Sequence, residues 1–363
     1  MGKKGNSLIV AGAGVWGLSC ALACARHGWR VTVLEKDRVG AGASGGVVGA
    51  MAPHTPDRWT AKKQFQFQAL ETATLFWEEV EHLSGLPTGY GRIERLQPIL
   101  THKARTLALA RAVCAQEVWQ GRTTWTVEDA PDWIAPVCAP CGVIRDNLSA
   151  RIHPAKATRA LAAACQATGV TITEGVAVHG LSDSGVHTEC GDKHADAVIL
   201  AAGVGGFDLL APHTARTPGA GQKGQAALLK CDLGTCAQIY ADGLYIVPHS
   251  DGTVAVGSTS EDIFDHPTAT DAQLDALIAR AQRQVPALAG AHVLQRWAGL
   301  RPKPRKRNPM LGPVPGLDRH FVALGAFKIG FGLAAKVGET LANCLEGTAR
   351  IPDSFSIEAH TGD

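Results

Sequence analysis

The sequence offers little that would suit a membrane or a nucleic acid. None of its apolar runs approaches the roughly 20 residues that a membrane-spanning helix needs, and the nearest, residues 10–25, is interrupted by glycines. The formal net charge is only +2, without the basic bias of proteins that bind nucleic acid or anionic lipid. We therefore expect neither a membrane nor a nucleic acid as partner.

The sequence also lacks an export signal and a disulfide pattern. Lysines occur in residues 1–7, but glycines break the apolar stretch that follows and no cleavage site ends it, so we expect a mature N-terminus and a cytoplasmic protein. Its ten cysteines are then expected to be free thiols. The spacing of Cys138 and Cys141 resembles that of a thioredoxin-type redox pair. Such a pair needs its first cysteine at a helix N-terminus, whereas the residues that follow here are predicted strand or loop. No second pair completes a zinc site, so no metal is expected.

The chain is long enough for two domains, and its pattern alternates between strand and helix. Residues 8–11 and 31–35 are predicted strands that flank a helix over 15–27, which together form a βαβ unit. Apolar residues three or four apart predict a long amphipathic helix over 58–83. Residues 225–230, 244–248 and 253–258 are predicted antiparallel strands, the last two joined by turn residues 249–252. These strands predict a second, β-rich layer.

A dinucleotide-binding pattern lies between the first strand and the first helix. Gly12 permits the tight turn, Gly14 lets a pyrophosphate approach the helix N-terminus, and Gly17 lets helix and strand pack closely. Glu35 ends the second strand, where its carboxylate can accept from ribose hydroxyls. The predicted nucleotide contacts of this unit are Gly12, Gly14, Val15, Trp16, Gly17, Glu35 and Lys36. The pattern by itself does not choose between FAD and NAD.

A glycine-rich loop after Glu35 favours FAD. Residues 41–53 are mostly small, which would let the backbone approach a pyrophosphate and an isoalloxazine ring, and Ser44 offers a hydroxyl to phosphate. An NAD-binding domain has no obvious use for such a loop. The predicted contacts here are Ala43, Ser44, Gly45, Gly49, Ala50 and Met51.

Several further motifs resemble one family nearly end to end. They are residues 151–154, 198–203, 223–225, 245–248, 256–259, 297–302 and 325–334. With the N-terminal pattern, they resemble the D-amino-acid oxidase superfamily of flavoproteins, in particular its glycine oxidase-like members. The resemblance implies an α/β (α+β) fold with a Rossmann-like FAD-binding domain, residues 1–88, 146–215 and 301–363, interleaved with a β-rich substrate-binding domain, residues 89–145 and 216–300. It also implies non-covalently bound FAD.

The resemblance assigns the substrate site as well. Arg301 would hold a substrate carboxylate, since a planar guanidinium donates two parallel hydrogen bonds, and Tyr245 would share it. Lys328 stands where glycine oxidases prefer arginine, so substrate contact, flavin contact, a role with oxygen and simple solvation all stay open. His54 follows the glycine-rich loop 41–53, here called the flavin loop, and is the one histidine considered for a catalytic role; the alternative is a loop or core histidine. Further implied FAD contacts are Val176, Ala202, Gly203, Gly299, Arg301, Lys328, Ile329, Gly330, Phe331, Gly332 and Leu333.

The implied reaction is oxidation of the C–N bond of a small amine or amino acid, such as glycine, sarcosine, a D-amino acid or an N-substituted glycine, to an imine that water hydrolyses. Oxygen or another acceptor would take the electrons, and the oligomeric state is left open. One alternative is an enzyme like the oxidase domain that matures the wobble uridine of tRNA, although the basic run 303–307 reads as a solvated loop. Another alternative is a flavoprotein-like subunit of a complex that keeps the fold but catalyses no reaction.

Overall fold

A computed structural model describes residues 5–362. Residues 1–4, which belong to the N-terminal segment discussed above, and residue 363 lie outside the described part. The strands of the described part, in chain order, are β1 (Ser7–Ala11), β2 (Arg30–Glu35), β3 (Ala50–Met51), β4 (Gly91–Arg92), β5 (Arg95–Pro98), β6 (Trp125–Glu128), β7 (Val143–Asp146), β8 (Ala150–Arg151), β9 (Thr171–Glu174), β10 (Val178–Ser182), β11 (Gly185–Thr188), β12 (Gly191–His194), β13 (Ala197–Leu200), β14 (Gly219–Lys230), β15 (Gln238–Ala241), β16 (Leu244–Pro248), β17 (Thr253–Gly257), β18 (Val293–Pro304), β19 (Met310–Pro313) and β20 (His320–Leu324).

The helices have recognisable start signals in the sequence. Thr60, Thr101 and Asp271 each cap a helix by accepting a hydrogen bond from a backbone N–H of its first turn. The helices are α1 (Val15–Arg26), α2 (Ala61–Ser84), α3 (His102–Val118), α4 (Pro154–Ala167), α5 (Gly205–Leu210), α6 (Ala272–Gln284), α7 (Gly330–Leu345) and α8 (Ile357–Thr361).

A six-stranded sheet contains the predicted βαβ unit. Its order is β19-β20-β13-β1-β2-β9, and β1 pairs in parallel with both β2 and β13. Only the pairing of β19 with β20 is antiparallel. Helices α1, α2, α4 and α7 contribute apolar residues to one continuous core with this sheet, including Leu18, Leu70, Leu161 and Leu341, each fully buried. Parallel strands covered by helices place the carboxyl ends of β1, β2 and β13 at one edge, where ligands of such sheets bind.

An eight-stranded sheet forms the β-rich layer. Its order is β18-β14-β17-β16-β15-β5-β7-β6, antiparallel except where β15 meets β5. The longest pairing joins β14 to β18 and sets Gln222 opposite Arg301 and Gly224 opposite Gly299. Helix α6 packs on this sheet and completes a second apolar core. Two three-stranded sheets, β10-β11-β12 and β3-β8-β4, complete the fold, and the predicted mixed α/β architecture is confirmed.

Several element boundaries differ from the sequence prediction. The long helix begins at residue 61, not 58, because Thr60 adopts extended backbone angles and caps it. The strand predicted over 253–258 ends at Gly257, and that predicted over 225–230 begins six residues earlier, at Gly219. All ten cysteines are free, as expected. Within residues 5–362, no helix combines the length and apolar character needed to cross a bilayer.

Candidate active site

The turn from β1 into α1 depends on glycines. Gly12 has φ +110°, and a Cβ there would lie 2.6 Å from the Ala201 carbonyl oxygen. A Cβ on Gly17 would lie 2.0 Å from the Gly12 carbonyl oxygen. At Gly14, by contrast, the nearest atom would be the Ser44 hydroxyl at 3.2 Å. The first and third glycines therefore allow close packing of the turn, while the second leaves the N-terminus of α1 open, as an approaching phosphate requires.

Glu35 and Ser44 both adjoin this turn and keep hydrogen-bonding capacity. The Glu35 carboxylate accepts from the backbone N–H of Ala13 at 2.8 Å and of Asp37 at 3.1 Å. The Ser44 hydroxyl oxygen accepts from the N–H of Val15 at 3.0 Å. Each carboxylate oxygen has a further lone pair, and the serine retains its proton for donation. Ribose hydroxyls and a phosphate oxygen fit these two groups.

One cavity of about 700 Å³ runs from this turn to the β14/β18 pair. Its size suits a large cofactor with a small substrate. The predicted site residues that line it are Gly12, Gly14, Val15, Trp16, Glu35, Lys36, Ala43, Ser44, Gly49, Ala50, Val176, Ala202, Gly203, Tyr245, Gly299, Arg301, Lys328, Ile329, Gly330 and Phe331. Residues distributed from Gly12 to Phe331 in sequence thus meet around a single space.

The other predicted contacts do not line the cavity. Gly17 and Gly45 shape its walls indirectly, since a Cβ on Gly45 would lie 2.4 Å from the Gly40 carbonyl oxygen. Met51 and Leu333 are buried in the main apolar core. Gly332 lies in the first turn of α7, where a Cβ would make an ordinary 3.4 Å contact with Leu70. The predicted segments therefore reach the cavity, but not every predicted residue of each segment lines it.

His54 is also outside the lining of the cavity. Its backbone N–H donates to the Gln66 side-chain oxygen at 2.9 Å, and its ring Nδ1 contacts the same oxygen. Burial lowers the pKa of His54 to about 4, so the ring is neutral at physiological pH. Gln66 in turn donates to the Ala52 carbonyl oxygen at 3.0 Å. The pair anchors the end of the flavin loop to α2, and the structure does not place His54 with the other predicted catalytic residues.

Arg301 is buried at the far end of the cavity with part of its guanidinium unused. Its Nη2 donates to the hydroxyl of Ser258 and, at 3.0 Å, to the carbonyl oxygen of Thr259. Its Nη1 is buried and has no hydrogen-bond partner among the residues that the structure describes. Burial lowers the pKa of Arg301 to about 10. A buried cationic donor without an acceptor is costly, and a ligand carboxylate would supply the missing acceptor.

Gly224 determines where the Arg301 side chain lies. A Cβ on Gly224 would lie 1.9 Å from Nη2 and 2.6 Å from Nη1 of Arg301. Gly224 is diagonal to Arg301 across the β14/β18 pair, on the same face of the sheet. The sequence prediction placed Gly224 in a family motif but gave it no role. The available signal was a glycine inside a predicted strand, which often marks a close approach of another group.

Behind Arg301, a buried polar network holds the segment 258–262, which contains both Arg301 acceptors. The Glu261 carboxylate lies 3.3 Å from Lys223 Nζ and accepts from the Gln225 side chain at 3.0 Å. Backbone hydrogen bonds of 3.0 Å join Lys223 and Glu261 in both directions. Thr259 donates from its hydroxyl to Glu261 and accepts from the Gln225 N–H. A fixed segment can therefore hold the guanidinium in one position.

Tyr245, the second residue predicted to bind the substrate carboxylate, lies in β16. It pairs with Tyr240 between β15 and β16 and with Gly257 between β16 and β17. The two tyrosine rings are tilted with centroids 4.6 Å apart, which limits ring movement. Burial raises the pKa of Tyr245, so its hydroxyl keeps its proton and can donate to a ligand. Tyr245 and Arg301 line the same cavity, as the sequence predicted.

Lys328 and the start of α7 close the cavity on another side. The Lys328 ammonium donates to the Ser260 hydroxyl at 2.8 Å. Partial burial and the positive charges of Arg301, Arg307 and Lys303 lower the pKa of Lys328. Helix α7 begins at Gly330, and the Gly330 carbonyl oxygen accepts from Trp16 Nε1 at 2.8 Å. This bond ties the N-terminal turns of α1 and α7 together.

The sequence prediction missed several lining residues. Val47, Val48, Asp208, Ser258, Trp297 and Phe327 also face the cavity. Ser258 and Trp297 belong to the motifs 256–259 and 297–302, which carry the family resemblance. Their place in these motifs was a signal from which they could have been predicted. Asp208 lies in α5, a helix of six residues that the sequence analysis did not identify.

A parallel sheet with a glycine-rich βα turn, a ribose-binding acid and a cavity ending at a buried guanidinium defines a dinucleotide-dependent oxidoreductase. The family of FAD dependent oxidoreductases, DAO, matches residues 7–344. This chain belongs to that family, and FAD is its cofactor. The donors and glycines described above fit that cofactor, which supplies a two-electron acceptor when bound.

Individual relatives agree with the family. Glycine oxidase from Pseudomonas aeruginosa is 28% identical over 95% of this chain and 96% of its own length. Among solved structures, glycine oxidase from Geobacillus kaustophilus has a TM-score of 0.87 at 22% identity, covering 99% of this chain and 100% of that one. Iminodiacetate oxidase from Chelativorans has a TM-score of 0.83 at 21% identity, covering 96% and 98%. At these identities, the solved structures establish the fold.

Proposed function

We propose that this enzyme oxidises the C–N bond of a small amino acid or N-substituted glycine whose carboxylate binds Arg301. The observation that carries the proposal is the guanidinium of Arg301, a residue that lines the cofactor cavity and whose buried Nη1 has no acceptor among residues 5–362. The similarity to glycine oxidase favours the same substrate class.

In this proposal, Arg301 and Tyr245 bind and orient the substrate. A carboxylate that accepts from the guanidinium and from the tyrosine hydroxyl fixes the position of the α-carbon, which is the main contribution such a site makes to rate. The substrate amine binds neutral and loses one proton to solvent, and bound FAD would supply the two-electron acceptor for the hydride that leaves the α-carbon. The C–N bond becomes an imine, and water hydrolyses it to a keto acid or aldehyde with release of ammonia or an amine.

No protein base has a required role in that reaction. His54 does not line the cavity, and with a pKa lowered to about 4 its ring is only a weak base. Apolar side chains also line the cavity, among them Trp297, Leu300 and Phe327. These side chains exclude water and keep the amine close to the cofactor.

The test is anaerobic reduction of the purified yellow protein. Glycine, sarcosine, D-amino acids and N-substituted glycines are added in turn, and the flavin absorbance near 450 nm is followed. Bleaching by at least one carboxylated amine supports the proposal, and no bleaching by any of them refutes it. Admitting air then shows whether oxygen is the acceptor. A titration with tRNA tests the alternative of an enzyme that acts on tRNA. Within the basic run 303–307, Lys303 is paired with Asp262 at 2.8 Å.

A further inference from the structure

The substrate end of the cavity carries two positive charges and no negative one in its lining. Arg301 and Lys328 both line it. The acidic residues of the lining are Glu35, Asp37 and Asp208. The first two belong to the nucleotide end after β2, and Asp208 lies in α5, which packs near β10. A single substrate carboxylate would neutralise one cation and leave the other.

The nearby carboxylates are already committed to other partners. Glu261 lies 3.3 Å from Lys223 Nζ and accepts from Gln225. Asp262 lies 2.8 Å from Lys303 and accepts from Gln222 at 2.9 Å. Lys328 itself bonds only to the neutral hydroxyl of Ser260 among the side-chain contacts of the described residues. Its charge is therefore not neutralised by a direct ion pair.

Arg301 and Lys328 are held by the same short segment. Arg301 donates to Ser258 and Thr259, and Lys328 donates to Ser260 two residues later. Three consecutive residues thus fix two cationic groups at one end of one cavity. The side chain of Lys328 also lies over the Phe327 ring, 5.5 Å from its centroid, which restricts its position.

We propose that the substrate is an amine with two carboxylates, one bound by Arg301 and the other by Lys328. This proposal rests on the function proposed above and narrows its substrate class. Amines of this kind include N-carboxymethyl amino acids and amino dicarboxylic acids. A charge-assisted hydrogen bond contributes about 1.5–3 kcal/mol, so the second carboxylate should increase the specificity constant by about 10- to 150-fold.

The experiment compares matched mono- and dianionic amines in anaerobic flavin reduction, which separates substrate recognition from any role of Lys328 with oxygen. Iminodiacetate and sarcosine differ by one carboxylate on the N-substituent, and D-aspartate and D-alanine differ by one on the side chain. The variants are Lys328→Met and, as the control, Lys306→Met, which removes the same charge from an exposed residue outside the cavity lining.

We expect wild type and Lys306→Met to prefer one dianionic amine over its monoanionic partner by at least 10-fold. We expect Lys328→Met to lose that preference, because its rate should fall more with the dianionic amine than with the monoanionic one. Which pair shows the effect identifies where the second carboxylate lies. Equal rates for both members of each pair in wild type, or an equal loss for both members in Lys328→Met, would overturn the proposal.

A binding measurement keeps this proposal separable from the proposed function. Thiodiacetate and methylthioacetate are non-oxidisable analogues of iminodiacetate and sarcosine, and calorimetry with the FAD-loaded protein gives their dissociation constants. We expect thiodiacetate to bind at least 10-fold more tightly, and only in proteins that retain Lys328. If no amine bleaches the flavin but this pattern appears, the oxidation is wrong and the dianion site stands. If sarcosine bleaches the flavin and the two analogues bind equally, the proposed oxidation stands and only the site for a second carboxylate is wrong.

Discussion

The guanidinium of Arg301 lies so close to Gly224 that residue 224 cannot carry a side chain unless the guanidinium moves. The missing Cβ would lie 1.9 Å from Nη2 of Arg301. Gly224 is on β14 and Arg301 is on the neighbouring β18. The guanidinium therefore lies flat across the β14 backbone. The absence of a side chain on one strand creates the binding position for a cation on the next.

Gly224→Ala should weaken substrate binding without unfolding the protein. The methyl group must displace the guanidinium, because the alternative is movement of a twelve-residue strand paired on both sides. We expect kcat/KM for a carboxylated amine to fall by about 10-fold or more, corresponding to loss of a charge-assisted hydrogen bond. Steady-state kinetics gives this value, and the flavin absorbance spectrum and thermal midpoint report whether fold and cofactor are retained. Unchanged kcat/KM would show that Arg301 can relocate without loss.

Gly17→Ala should abolish FAD binding. Its Cβ would lie 2.0 Å from the Gly12 carbonyl oxygen, so α1 must move away from the turn that faces the cofactor. The control is Gly332→Ala, whose Cβ would make only an ordinary contact with Leu70 at 3.4 Å. We expect the first variant to purify without flavin and the second with it, as measured by the ratio of absorbance at 450 and 280 nm. Equal flavin content in the two variants would contradict the role assigned to this turn.

The sequence carried enough information to predict the N-terminal half of the site. Gly12, Gly14 and Glu35 follow a local spacing rule because a phosphate and a ribose have fixed dimensions. The position of Arg301 relative to Gly224 depends on strand register between segments far apart in sequence, and no local pattern encodes that register. The contact of His54 with Gln66 depends on how a loop packs against α2, which no local pattern encodes either. The sequence therefore could not show that His54 bonds to Gln66 instead of facing the cavity.

The stability of the protein should fall in mild acid partly because of His249. This ring lies 4.8 Å from the His153 ring and bonds to the Val47 carbonyl oxygen at 3.0 Å. Burial lowers the pKa of His249 from 6.5 to about 4. Between these two values the unfolded chain binds a proton that the folded protein does not, so the free energy of unfolding decreases as the pH falls from 6.5 towards 4.

The expected size of this effect is about 2 kcal/mol between pH 7 and pH 5. Urea unfolding at these two pH values should show a loss of stability that is smaller by that amount in His249→Asn than in wild type. His266→Asn, at an exposed histidine, should keep the wild-type loss. If His249→Asn also keeps it, then His249 does not bury a neutral ring in the folded protein.

The proposed function depends on a substrate carboxylate that completes the hydrogen bonding of Arg301. Arg301→Ala removes the guanidinium, and loss of one partner of a buried charge pair costs about 2–5 kcal/mol, on the order of 30- to 4000-fold in kcat/KM. Arg305→Ala removes the same group from an exposed position near the end of β18 and serves as the control.

The decisive measurement is single-turnover anaerobic flavin reduction of both variants, loaded with FAD, by the best carboxylated amine found for wild type. We predict a loss of at least 30-fold in Arg301→Ala and rates close to wild type in Arg305→Ala, with flavin content unchanged in both. Reduction of Arg301→Ala at the wild-type rate and with the wild-type concentration dependence would contradict the assignment of Arg301 as the carboxylate site.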